Sequence, residues 1–185
     1  RMVAEADTPP SARIVWKTVA QAHKDQCALD LLGRVLSGAS GRLNKALVLD
    51  QKVALGVGGF HRPQKFGGTF TVAGMASQGQ SPENVEKALL QEVERIQKEG
   101  ITEEELQKAK NQAIAGLYRG QGDNLELATA LAKADAISGY RSLLDLPART
   151  NAVTREDVQR VAQAYLTPEG RNTLLYLRKA KKEAQ

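Results

Sequence analysis

The residues from Leu31 to Phe60, LLGRVLSGASGRLNKALVLDQKVALGVGGF, change their apolar spacing twice, and this limits the folds open to the chain. Ala28, Leu31, Leu32, Val35 and Leu36 fall at i, i+3, i+4, i+7 and i+8, which is one face of an α-helix. Gly38-Ala39-Ser40-Gly41 ends that helix. Leu43, Ala46 and Leu47 resume the helical spacing over roughly 41–49. Val53, Leu55 and Val57 then alternate, with glycines at 56, 58 and 59. A helix, a short helix and a strand follow one another with almost no connecting chain. Such a unit buries its apolar surface only as part of a helix-on-sheet layer.

The remaining segments fit the same plan. Arg1–Ser11 contains Pro9-Pro10 and few large apolar residues, so it reads as a linker-like N-terminal segment, with a single domain over 12–185. Arg13–Ala20 is β-branched and carries the one Trp, as a strand would. The first helix is expected from about His23 to Ser37, with Asp25 in its first turn. Val53–His61 and Gly68–Ser77 read as a hairpin joined by Arg62–Gly67. Ser81-Pro82 starts a helix with Val85, Leu89, Val93 and Ile96 inward, and Gly100 ends it. Thr102 and Glu105 form a capping box, with Ile101 and Leu106 as a staple. Gly120 and Gly122 break this helix, and Asp123 or Asn124 caps the next, which Gly139 closes. Leu143–Asn151 reads as a connector. Thr154 caps a last helix, and Asn172–Arg178 reads as a closing strand. The expected fold class is α+β, a mostly antiparallel sheet covered by helices.

Composition excludes several function classes. The 185 residues are 42% hydrophobic and 25% charged, and no apolar run approaches the roughly 20 residues of a membrane helix. The one cysteine, Cys27, rules out an internal disulfide and reads as a small buried hydrophobe. The net charge of +5 includes Arg178, Lys179, Lys181 and Lys182, read as a solvated tail. No aromatic residues interleave with these charges to stack bases, which argues against nucleic acid.

The catalytic candidates are sparse. His23 and His61 lie in different elements and neither has a Glu-His neighbour; both read as surface residues, His61 as exposed at a strand end. Ser40 reads as a polar turn residue. Gly56, Gly58 and Gly59 lie inside a strand rather than before a helix, so they mark a bulge or a close backbone approach rather than a phosphate loop. Glu103-Glu104-Glu105 reads as helix-start chemistry rather than a metal cluster. Tyr118-Arg119 reads as packing plus a solvated charge.

The order Ser40, Arg42, Leu43, Ala46, Leu47 followed by a strand resembles the C-terminal, non-catalytic domain of pitrilysin/insulinase-type zinc metallopeptidases, the group that includes the mitochondrial processing peptidases. The resemblance covers about 12–178 and implies their α+β metallohydrolase fold. In that family an inverted H-x-x-E-H helix and a distant glutamate hold zinc; the corresponding helix here reads HKDQCALDLLGRVLSG and lacks the motif. The family also often carries an arginine in the second helix and a tyrosine at the start of the next strand. Aligning Arg42-Leu43 and Ala46-Leu47 puts Val48 and Leu55 at those degenerate substrate-contact positions, and neither side chain can donate a hydrogen bond.

The resemblance implies a chain with no catalytic or metal residues of its own. It would help to enclose a peptide-binding chamber for unfolded peptide with a catalytic domain located upstream or on a partner subunit. Zinc is expected in that missing domain, and the full-length protein would be a zinc metallopeptidase or a subunit of one. The start at Arg1 fits a piece of a longer protein, and the family suggests a periplasmic location, with the cytoplasm open. The alternative is a structural or assembly module of the same fold with no proteolytic role.

Overall fold

The computed structural model describes residues 1–120 and 122–178. A five-stranded sheet runs in the order β1 (Met2–Ala6), β5 (Arg171–Arg178), β2 (Ser11–Thr18), β4 (Gly68–Ala76), β3 (Ala54–Pro63). β1 pairs parallel with β5, and every other pair is antiparallel. The fold is therefore α+β with a mostly antiparallel sheet. Arg1–Ser11 is not a plain linker: Met2 pairs with Leu174 and Ala6 with Arg178, so β1 forms one edge of the sheet. Its pairing partner lies at the far end of the chain, where no local signal could reveal it.

One sheet face is apolar and covered by helices. It presents Ala12, Ile14 and Trp16 from β2, Phe70, Val72 and Ala76 from β4, and Leu175 from β5, all buried. Against it pack α1 (Gln26–Leu36), α2 (Pro82–Glu99) and α7 (Arg155–Tyr165). α2 buries Val85, Leu89, Val93 and Ile96, four positions on one helical stripe. The Trp16 indole spans the layers, and its N–H donates to the Thr167 carbonyl at 2.9 Å.

The helix starts follow their local code. Ser81 Oγ accepts from the Asn84 amide, and the Thr102/Glu105 capping box of α3 (Glu103–Arg119) is complete. Thr154 forms a second box with Asp157. α4 spans Asn124–Ser138, capped by Asp123. The expected connector 143–151 is instead occupied by two short helices, α5 (Arg141–Leu144) and α6 (Leu146–Ala152). Tyr118 does not pack but stands exposed. The tail lysines lie in 179–185, outside the described residues.

The expected short helix begins with α-helical Arg42 and Leu43 and continues as a π-helix, Asn44–Asp50. Its wider turns leave Leu43 and Leu47 fully buried, with Ala46 and Val48 packed beside them. Asp25 stands at the N-cap of α1, yet its side chain caps nothing locally. Both oxygens are taken by α7: Arg160 donates to one at 2.8 Å and the Tyr165 hydroxyl to the other at 2.8 Å. The Arg160 guanidinium holds this carboxyl below the usual carboxylate range, against the opposing push of burial.

Acid should therefore loosen the helical layer. In Glu105 and Asp157 burial pushes the carboxyl up, but the hydrogen bonds outweigh it and both lie below the ordinary value, as Asp25 does. Groups depressed by folding stabilise above their unfolded pKa, and that contribution is lost as pH falls through the carboxylate range. Buried Glu92, pushed up, works in the opposite sense. The urea midpoint should be flat from about pH 6 to 8 and fall below about pH 4, with Asp25→Asn flattening the fall. A midpoint unchanged down to about pH 3 would contradict the assignment.

Candidate functional site

Helix α1 is where the resemblance would seat a zinc motif. Its first turns carry Gln26 and Asp30, joined by a 2.6 Å hydrogen bond. The other Asp30 oxygen lies 2.7 Å from His61 Nδ1, and His61 Nε2 lies 3.0 Å from Thr18 Oγ1. With a carboxylate on one side, Nδ1 carries the proton, and Nε2 accepts from the threonine hydroxyl. The His61 side chain is 0% exposed, which corrects the expectation of an exposed strand-end residue. It faces the covered side of the sheet and stacks on Phe70, with ring centroids 6.5 Å apart.

Acid, imidazole and hydroxyl stand in the order of a nucleophile-activating relay. Neither His61 nor Thr18 lines any of the described cavities, and the His61 ring that would have to activate the hydroxyl is fully buried. The chain of hydrogen bonds is a cross-link that ties α1 to β3 and β2. His23 is separate: its Nδ1 accepts from the Asp25 amide at 3.1 Å. Among the described residues no group of three His, Cys, Asp or Glu side chains could hold a metal ion. Cys27 is buried, and burial pushes its thiol up, away from a reactive thiolate.

The Ser40–Leu47 segment is a structural junction. Arg42 grips Glu105 with two hydrogen bonds of 2.7 Å, and the same carboxylate accepts from the Thr102 amide at 2.8 Å. One arginine thereby locks the lead-in of the π-helix to the capping box of α3. A cavity of about 270 Å³ opens beside this strut, with Arg34, Lys45, Lys108 and Glu104 on its wall. Ser40 is the turn residue expected, and its hydroxyl meets the Lys108 ammonium across the cavity mouth.

Val48 and Leu55 flank the turn from the π-helix into β3, where Lys52 takes a positive φ of 55°. Val48 is half-buried against the core, whereas Leu55 is 65% exposed at a β-bulge between Ala54 and Gly56. The glycines mark the expected bulge and a close approach: a Cβ on Gly59 would lie 3.1 Å from Leu36 Cβ. Ser37 then closes the edge of β3. Its hydroxyl donates to the Gly59 carbonyl and accepts from the Gly59 amide at 2.7 Å.

A family profile described as the peptidase M16 inactive domain matches residues 2–113. The chain belongs to the peptidase M16 inactive-domain family. It is a non-catalytic peptidase domain, and its fold is that of solved M16 inactive domains. The inactive peptidase domain of a protein described as a zinc protease from Bordetella parapertussis is 26% identical, with a TM-score of 0.86 over 97% of this chain and 96% of that one. A protease from Helicobacter pylori superposes with a TM-score of 0.87 at 23% identity, over 94% of this chain but only 42% of that one. A peptidase M16 inactive domain from Pseudomonas fluorescens gives 0.79 at 17% identity, covering 97% of this chain and 43% of that one. The M16 domain described here thus spans less than half of the Helicobacter and Pseudomonas chains. No curated protein sequence matches.

Several features of this M16 domain had no signal within single segments. The Arg42–Glu105 strut joins residues that local sequence reads separately, one in the short second helix and one in a capping box.

Proposed function

We propose that this M16 inactive domain forms one wall of a peptide-binding chamber, with a zinc-bearing catalytic domain upstream or on a partner chain supplying hydrolysis. The observation that carries this reading is the family match, joined to a helix α1 whose Gln26 and Asp30 are committed to internal hydrogen bonds. Two matched chains of more than twice the length leave room for a further domain. Val48 and Leu55 lack hydrogen-bond donors, so any arginine and tyrosine needed to orient a peptide carbonyl would come from the partner. A periplasmic location belongs to the same reading and rests on resemblance.

The test is peptide hydrolysis. The purified chain, supplied with zinc and an unfolded peptide, should give no turnover, and turnover should appear when a catalytic M16 domain is added. Zinc-dependent cleavage by the chain alone, abolished by a chelator, would overturn the proposal. The donor-free pair Val48 and Leu55 also favours a second reading, an assembly module. Stable association with the catalytic domain and no gain in turnover would select it.

A further inference from the structure

Among the described residues the second face of the sheet carries no helix and no carboxylate. By register, the side chains alternating away from the helices are Ser11, Arg13, Val15 and Lys17 on β2 and Thr69, Thr71, Ala73 and Met75 on β4. β3 adds Gly56, Gly58, Phe60 and Arg62, and β5 adds Asn172, Leu174, Tyr176 and Arg178. Met2 and Ala4 complete the set from β1. Four of these positions are cationic and none is acidic. Among the described residues none of the four cations forms an ion pair. The helical side differs: there Arg1 pairs with Glu86, Arg42 with Glu105 and Arg160 with Asp25.

One of the four, Arg13, stands on the wall of a groove of about 320 Å³, with Met75 and Tyr176 beside it and Gly56, Gly58 and Ala73 along its floor. Neither backbone angle nor crowding demands glycine at these two floor positions. Gly56 and Gly58 do not have positive φ, and a Cβ on either would meet nothing within 4 Å. Glycine inside a strand costs stability, so an open floor is what these two positions provide. Lys17 and Arg62 flank Thr69 at the other end of the face. Arg62 also lies over the Phe60 ring, 5.7 Å from its centroid.

We propose that this helix-free face docks extended, acidic peptide segments, with the peptide backbone in the groove and its carboxylates on Arg13, Lys17 and Arg62. The inference deepens the reading of the domain as a chamber wall by naming the class of peptide it holds. Charge complementarity selects the occupant: a face of unpaired cations favours carboxylate-bearing chains and repels basic ones. The groove admits a main chain that bulky strand residues would hold off.

The test uses fluorescence anisotropy with a labelled peptide of about ten residues alternating aspartate and alanine, its lysine counterpart, and a single-stranded DNA of similar charge. The acidic peptide should bind, more weakly as salt rises, and the lysine peptide should not. Gly58→Val should leave the melting temperature unchanged or higher, yet weaken binding at least about tenfold. Arg13→Glu should do the same to binding. Lys87→Glu, an equal charge change on α2, should not. Equal binding of both peptides, or unchanged affinity in Gly58→Val and Arg13→Glu, would overturn the proposal, as would tighter binding of the DNA. Cleavage of the bound peptide would overturn the non-catalytic reading and leave this one standing; a chain that neither binds nor cleaves removes this one alone.

Discussion

Gly41→Ala should cost the domain about 3 kcal/mol, a fall in melting temperature of roughly 6–12 °C. A Cβ at this position would lie 2.7 Å from the Leu36 carbonyl oxygen and 2.5 Å from the Ser37 carbonyl carbon. Both are backbone atoms at the end of α1, so no rotamer change relieves the overlap. The chain must reopen the turn closed by Gly41 N–H donating to the Gly38 carbonyl at 3.0 Å. Reopening it displaces Arg42, the next residue, from Glu105. The loss should therefore appear both in the urea midpoint and in the acid dependence, which weakens when Glu105 loses its arginine. A variant that melts within about 2 °C of the parent would show that the turn is not rigid.

The second large effect is expected at His61. Truncation to alanine strips Asp30 and Thr18 of a partner and leaves a void beside Phe70. Asp30 keeps its bond to Gln26 and is about a third exposed, so water takes up part of the loss there, and the cavity left by the ring carries most of an expected cost of about 3 kcal/mol. His61→Phe separates the two parts, since it keeps a ring against Phe70 and removes both hydrogen bonds. Chemical denaturation should place it between the parent and His61→Ala. If His61→Phe matches the parent, the hydrogen bonds contribute nothing and the residue acts by packing alone.

These two residues also mark where sequence reading succeeds and where it stops. The turn at Gly38–Gly41 was legible because its cause is local, a run of small residues between two apolar helical patterns. Ser81, Thr102 with Glu105, and Thr154 were legible for the same reason: a cap satisfies amides only two or three residues away. His61 was not. Its burial depends on Asp30 and Thr18, which the sheet and α1 bring together from distant segments. Asp25 looks like a helix cap, yet its partners Arg160 and Tyr165 come from the last helix. The strand at Met2–Ala6 has only Val3 as a β-branched residue to announce it and exists because β5 offers an edge. The short helices over 141–152 lack strong periodicity, so their shape follows from packing, α6 against α1 and α3 and α5 against α4, rather than from their own residues.

The placement of β5 sets an order on the making of the protein. β5 lies between β1 and β2, both formed from the first eighteen residues, while its own residues begin at Arg171. As the chain is synthesised, the two early strands must wait with a vacant lane between them until the last strand arrives. Through that interval β1 has no neighbour and β2 offers one bare edge, the state most open to pairing with another molecule. The final strand works like the last stave of a hull, joining the sheet together only when nearly all of the described chain has been laid down. A ribosome stalled before Arg171 would release helices already formed around a sheet still split in two.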